Sequence, residues 1–340
     1  MKVLITGGLG YIGSHIASEL SNENIEYVIV DNLSNSYPET KTNLEKLTGK
    51  PVKFYNFDLN DSEKLEKLLK SEKIDTVIHC AGLKAVHESV KQPEKYYSSI
   101  VEMTSNILSS MLNVGVKNIV FSSSATVYGT QDKCAIDEKC PPDPLSPYAE
   151  YKLKAEKLIE KASKKYGMNA VVFRYFNVVG AHPSSLIGDN GKSKFFNVVK
   201  YILNAAKEQK TFVIAGGQRP TVDGTAVRDY IHVCDLSKAH INAIKYLQNK
   251  NGYEIINLGT GRQTSVLELV KVYNSLTRPR LTYDFTDKRP GDADIVYCDN
   301  TKLKNLLGFE PTHDVTSIMK TSIDYDKAKT NTYENAKEKD

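Results

Sequence analysis

The chain has 340 residues, 40% of them apolar and 25% charged, with a net charge of +4; that is an ordinary globular composition, long enough for two domains or one large one. The charge is spread without a basic block, which removes the footprint of a nucleic-acid binder, and no apolar run approaches the roughly 20 residues of a membrane span. Five widely spaced cysteines (Cys80, Cys134, Cys140, Cys234, Cys298) fit reduced thiols better than a disulfide framework, the histidines show no metal-ligand spacing, and the N-terminus reads as a strand rather than a signal segment, so a cytoplasmic location without a bound metal is expected.

Lys2-Val3-Leu4-Ile5-Thr6 reads as a buried parallel strand. Gly7-Gly8-Leu9-Gly10-Tyr11-Ile12-Gly13 follows, and Ile16 and Leu20 then recur at helical spacing. A glycine loop alone is only a turn. Between a strand and a helix start it lets the backbone approach a pyrophosphate, and the helix N-terminus offers free N–H groups. A second strand over 27–30 ends at Asp31, about 20 residues after the glycines, where a carboxylate grips ribose hydroxyls and repels a 2′-phosphate. The expected cofactor is NAD.

The strand–helix alternation continues, with a strand over 52–57 and a helix over 62–69. Between them Asp58, followed by Leu59, reads equally as a contact to the adenine amino group or as a helix N-cap. The strand over 75–80 ends in the small pair Ala81-Gly82, where a cofactor can lie close. The strand over 116–121 runs into Ser122-Ser123-Ser124-Ala125-Thr126, at the end of a parallel strand where open α/β sheets bind ligands. Loop capping is the plain reading of each serine and is accepted for two of the three.

Pro147 opens the next helix, and Tyr148 and Lys152, four apart, stack on one face of it. An ammonium beside a phenol lowers its pKa from about 10, which makes Tyr148 a candidate base for a sugar hydroxyl. By itself the pair is common, and an amphipathic surface helix with an ordinary Tyr is the better reading of it. A sixth strand over 170–174 is followed by a Gly/Pro/Ser-rich stretch, 177–193, which marks a domain boundary. Strands over 212–214 and 254–257 alternate with helices near 194–209, 235–248 and 265–276, and a helix near 314–327 closes the fold. The expectation is an α/β doubly wound parallel sheet, Rossmann-like. Residues 1–176 form the NAD-binding domain, to which some later segments return. Residues 177–327 form a smaller C-terminal substrate domain, and 328–340 a polar tail.

Taken in order, Gly7-x-x-Gly10-x-x-Gly13, Asp31-Asn32-Leu33, Ala81-Gly82-Leu83-Lys84-Ala85-Val86, Ser122-Ser123-Ser124-Ala125-Thr126-Val127-Tyr128-Gly129, Tyr148-x-x-x-Lys152, Arg174-Tyr175-Phe176-Asn177 and Val227-Arg228-Asp229-Tyr230-Ile231-His232-Val233 carry a family resemblance. From Met1 to about Lys327 the chain resembles the extended short-chain dehydrogenase/reductases, and within them the UDP-glucose 4-epimerase (UDP-galactose 4-epimerase) family. The resemblance implies that Tyr148 takes the proton of the sugar 4-hydroxyl while a hydride passes from C4 to NAD. The 4-keto sugar then turns over and takes the hydride back on its other face. Lys152 keeps Tyr148 acidic, and Ser124 hydrogen-bonds the 4-oxygen.

The same resemblance places Gly7, Gly10, Tyr11, Ile12, Gly13, Asp31, Asn32, Asn35, Ser36, Asp58, Leu59, Cys80, Ala81, Gly82, Lys84, Ser99, Ser122, Tyr175 and Phe176 against the cofactor. It places Thr126, Asn177, Asn197, Arg228, Arg289, Asp292 and Val296 on the UDP-hexose side, with the two arginines clamping the diphosphate. A homodimer through helices near 93–113 and 148–165 is implied. The competing plain reading of Arg228 is an ion pair with Asp229.

Ala125-Thr126 stands where related dehydratases carry Asp-Glu, so dehydration is not expected. The chain departs from the family at several points: Ser99-Ile100 replaces a pair of Asn, Val178 a Pro, and Ala215 a Phe of the uridine pocket, and Asn197 is the remnant of a Pro-Asn-Asn. Val296 stands where a Tyr or Cys gates space for an N-acetyl group, and its size allows N-acetylated sugars. The alternatives are an epimerase for another UDP-sugar, such as UDP-glucuronate or a UDP-pentose, or a non-catalytic NAD-binding regulator; the latter would be expected to have lost Ser124, Tyr148 or Lys152.

Overall fold

The computed structural model describes residues 1–131, 135–193, 197–289 and 292–337, the last seven by backbone alone. Cys134 and the first three residues of the helix expected near 194–209 lie outside the described residues. Seven parallel strands make the main sheet, in the order Tyr253–Leu258, Asn169–Tyr175, Asn118–Ser124, Thr76–His79, Lys2–Thr6, Glu26–Val30, Phe54–Tyr55. The order reverses between Lys2–Thr6 and Thr76–His79. This is the switch point at which doubly wound sheets open a crevice beyond the strands' carboxyl ends.

Alternation along each strand sends neighbours to opposite faces. Val3 and Ile5 pack with Ile16 and Leu20 of helix Tyr11–Asn22 and with Leu236, Ile244 and Leu247 of helix Val233–Asn249. Leu4 packs on the other face with Leu65 and Leu68 of helix Ser62–Ser71, Ile107 of helix Met103–Val114 and Ile159 of helix Pro147–Tyr166. Because both faces are covered, the strands are continuous apolar runs rather than alternating ones.

The second layer has its own core, with Val199, Ile202, Ile214, Leu269, Val270, Ile318 and Met319 at its centre. It carries a four-stranded sheet ordered Thr264–Ser265, Val227–Arg228, Ile295–Cys298, Ala135–Ile136. Two segments from beyond 177 return to the first layer. Helix Val233–Asn249 packs on helix Tyr11–Asn22, and strand Tyr253–Leu258 extends the main sheet with Ile256 beside Phe173. The C-terminal helix, Val315–Lys337, runs past the 327 limit read from the sequence. Its polar residues are engaged: Lys200 pairs with Asp326, and Lys207 Nζ donates to Thr330 Oγ1 at 3.1 Å.

The described cysteines, Cys80, Cys140, Cys234 and Cys298, are all free thiols. Among the described residues no helix is long and apolar enough to cross a membrane, and no group of His, Cys, Asp or Glu could hold a metal ion.

Burial holds His15, His79 and His232 down to a pKa of about 3 and His240 to about 4, from 6.5. Between pH 6.5 and about 4 the unfolded chain therefore binds protons that the folded chain refuses. Stability is full above 6.5 and is lost as pH falls below it, at about 1.4 kcal/mol per unit for each group. Urea midpoints should drop steeply between pH 7 and 5.5, and an unchanged midpoint would mean that these rings protonate without cost in place.

Candidate active site

The crevice at the switch point is a cavity of about 450 Å³. Its floor is the glycine loop. Gly7 has φ +66°, and a Cβ on Gly7 would lie 2.9 Å from the Ala81 backbone; one on Gly13 would lie 2.4 Å from Gly7 O. The loop is thus packed to backbone contact. Gly10 caps helix Tyr11–Asn22 without any side-chain cap, which leaves that helix's first N–H groups turned to the cavity as an anion site. Asp31 is 8% exposed at the far wall. Its Oδ2 accepts from Leu9 N at 3.1 Å and its Oδ1 from Leu33 N and Ser36 Oγ, which orients the carboxylate and leaves lone pairs for ribose hydroxyls. Cradle, anion site and carboxylate together fit a dinucleotide, and the residues present fit NAD.

Asp58 is not a helix cap: that position belongs to Asp61, whose Oδ1 accepts from Lys64 N. Asp58 instead lines the cavity and accepts from Asn32 Nδ2 at 2.9 Å. Of the cofactor candidates, Gly7, Gly10, Tyr11, Ile12, Gly13, Asn35, Ser36, Leu59, Cys80, Ala81, Gly82, Lys84, Ser99, Ser122 and Tyr175 also line it. Phe176 does not. It is 7% exposed and packs with Val127, Tyr128 and Cys298 on the other side of the strand end, because neighbours at a strand end point apart. Ser99 sits in a π-helical turn, Ser98–Glu102, where its hydroxyl bonds back to Tyr96 O at 3.3 Å.

Residues 186–191 and Tyr325 close the cavity from the second layer. None of them is a site candidate read from the sequence, where 186–191 fall in the Gly/Pro/Ser-rich stretch that marks only a domain boundary.

Tyr148 and Lys152 line the same cavity. Ser146 Oγ caps their helix through Ala149 N at 3.3 Å, and Pro147 occupies its first turn. Lys152 is buried, and its Nζ donates to Ser122 O at 2.8 Å. Burial pushes it down to about 8, with Cys80 and Glu156 opposing. At Tyr148 desolvation dominates in the ligand-free protein. Burial pushes its pKa up to about 12, against which a hydrogen bond with Ser124 works. The Lys152 ammonium is engaged with a main-chain carbonyl, and desolvation of the phenol prevails in the ligand-free protein.

Ser124 caps the short helix Ala125–Tyr128, accepting from Thr126 N at 3.2 Å and from Thr126 Oγ1 at 2.9 Å. Ser123 turns inward onto the buried Glu156–Arg174 pair. The Tyr175 hydroxyl bridges Ser122 Oγ at 2.8 Å and the buried His240 Nε2 at 2.7 Å.

The residues read from the sequence as a substrate wall do not line this cavity: Thr126 is on the short helix after strand Asn118–Ser124, and the others lie on the second layer. Asn177 Nδ2 donates to Asp229 O at 2.9 Å. Asn197 caps helix Val198–Lys207 and contacts Asp189 Oδ2 at 3.3 Å. Arg228 pairs in register with Val296, and its Nη2 meets Asp292 Oδ1 at 2.6 Å. Arg289 is exposed beside them. Asp229 is not the partner of Arg228. It is fully buried and ties down the 259–261 turn, accepting from Thr260 N, Thr260 Oγ1 and Gly261 N.

Comparison with known proteins follows the same lines. Residues 3–259 match the NAD dependent epimerase/dehydratase family. The chain is 40% identical over 338 residues to a UDP-glucose 4-epimerase of Bacillus subtilis, covering 99% of this chain and 100% of that one. It is similar to the crystal structure of UDP-glucose-4-epimerase from Stenotrophomonas maltophila with bound NAD and formylated UDP-arabinopyranose (TM-score 0.95, 36% identity, 98% and 99% of the two chains). It is similar also to that of UDP-glucose 4-epimerase from Bifidobacterium longum in complex with NAD+ and UDP (TM-score 0.90, 39% identity, 97% and 99%).

Proposed function

The chain belongs to the NAD dependent epimerase/dehydratase family, and from that premise we propose that it is an NAD-dependent 4-epimerase interconverting UDP-galactose and UDP-glucose. One observation carries the reading: a single cavity joins the dinucleotide cradle at Gly7, Gly13 and Asp31 to the pair Tyr148 and Lys152. Bound NAD supplies the hydride acceptor and donor for the sugar C4.

The chain's own residues supply the rest. Tyr148 takes and returns the proton of the 4-hydroxyl. Ser124, whose side chain favours the Tyr148 phenolate, holds the 4-oxygen. Lys152, fixed on Ser122 O, holds positive charge beneath the phenolate as it forms. Arg228 and Arg289 take the diphosphate, with Thr126, Asn177, Asn197 and Asp292 lining the same wall. Val296 packs against Phe176 and Cys298 and is small enough to leave space beyond the sugar C2. A cytoplasmic homodimer completes the reading. The dimer part of that reading is supported by exposed Val90 and Tyr97 beside helix Pro147–Tyr166.

The test is incubation of the purified protein with UDP-galactose and no added NAD, followed by assay for UDP-glucose. UDP-glucose formation supports a 4-epimerase with a retained cofactor, and no product even with NAD supplied overturns it. UDP-N-acetylgalactosamine, offered alongside, should also turn over; inertness of that sugar beside active UDP-galactose would remove the role given to Val296.

A further inference from the structure

Arg219 is a buried arginine that no motif of the chain announces. Its side chain is 1% exposed, while that of neighbouring Arg228 is 18% exposed and that of Asp292 32%. Arg219 Nη2 reaches Asp292 Oδ2 at 2.7 Å; Nη1 reaches Asp294 Oδ1 at 3.0 Å and the main-chain oxygens of Asp292 and Ala293 at 3.2 and 3.1 Å. Arg228 Nη2 takes the other oxygen of the same carboxylate, Asp292 Oδ1, at 2.6 Å, and Ala293 O at 2.8 Å. Lys288 completes the group on Asp294 at 2.7 Å. Asp292 is therefore shared by two guanidiniums, one locked in the protein and one partly open to solvent.

A carboxylate beside a diphosphate site works against its ligand. It repels the phosphates, and it competes with them for the arginine that should receive them. A second, permanent cation on that carboxylate removes both objections.

We propose that Arg219 is a positioning residue for nucleotide-sugar binding. It holds the 292–294 segment in place and keeps Asp292 neutralised, so that Arg228 is free to turn from Asp292 to the substrate's diphosphate. Arg219 itself, with its Nη atoms bonded to this segment and to Ala215 O and its Nε packed against Gly216, stays where it is. The inference rests on the reading of Arg228 as a diphosphate ligand.

The experiment uses the holoenzyme and measures the Kd of UDP by calorimetry and the KM and kcat for UDP-galactose. Arg219→Gln should raise Kd and KM about 10- to 100-fold and leave kcat within about twofold, since no atom of Arg219 nears the reacting carbon in this scheme. Arg219→Lys, which keeps the charge and serves if the Gln variant does not fold, should recover part of that loss. In an Asp292→Asn background Arg219→Gln should weaken UDP binding less than threefold, because the charge it answers is gone. Unchanged Kd and KM in both Arg219 variants, with Arg228→Gln still weakening UDP, overturns the proposal and leaves the role of Arg228 standing. Full retention of the Arg219→Gln effect in the Asp292→Asn background also overturns it. If Arg228→Gln leaves UDP binding unchanged, the diphosphate reading falls and the proposal with it.

Discussion

Tyr148→Phe should lower kcat for UDP-galactose by about 10³-fold while the purified protein keeps its NAD. General acid–base catalysis by one positioned group is worth about 10²–10⁴, and Tyr148 is the group in the cavity whose proton can be moved with Lys152 and Ser124 at hand. The phenyl ring keeps the packing of a residue that is 8% exposed. The backbone N–H of residue 148 still reaches Ser89 Oγ at 3.1 Å, and Ser124 keeps Thr126 as a partner at 2.9 Å. Loss of rate therefore reports loss of the hydroxyl and not of the fold. The ligand-free phenol, pushed up to about 12 by burial, is almost wholly protonated at neutral pH, so the variant removes a group whose deprotonation the active complex has to assist. The measurement is steady-state turnover beside the NAD released on denaturation. A kcat within tenfold of the parent would dismiss Tyr148 as the base.

Gly13→Ala should empty the protein of NAD. The added Cβ would stand 2.4 Å from Gly7 O and 2.7 Å from Gly8 Cα, both backbone atoms that cannot rotate aside. Gly7 O also receives the N–H of Gly10 at 3.1 Å, so any shift unmakes the turn that aims the helix N-terminus. Overpacking of this kind costs about 1–3 kcal/mol, and when it falls on the bound geometry it weakens retention about 10- to 100-fold. Gly49→Ala is the control. Gly49 has a φ of +66° but nothing within 4 Å, so its substitution should cost some stability and no cofactor. NAD per chain after gel filtration decides between them. Full occupancy in Gly13→Ala would mean that the loop relaxes around the methyl.

The local elements were legible because their causes are local. Val3-Leu4-Ile5 is a buried strand wherever both faces are covered, Gly7 through Gly13 needs no side chains, and Tyr148 and Lys152 share a helix face by spacing alone. Asp58 was ambiguous in the sequence, because an Asp before a helix suits a cap; the structure resolves it by giving that task to Asp61. The direction of the Tyr148 pKa in the ligand-free protein was not legible in the sequence for a different reason. Spacing shows that a cation is near, but the cost of burial depends on everything packed around the ring.

The sequence by itself determined the doubly wound sheet, the glycine cradle with Asp31, and the candidate pair Tyr148 and Lys152. All follow from backbone periodicity and side-chain chemistry within a few turns of chain. Only the tertiary structure decided that residues 186–191 and Tyr325 close the cofactor cavity, that Phe176 turns away from it, and that Asp229 is a buried strut while Arg228 answers to Asp292. It alone brought Arg219 to the same carboxylate, 73 residues along the chain. Such pairings depend on how two layers dock, and docking is set by the packing of whole faces rather than by any pattern a short stretch of sequence carries.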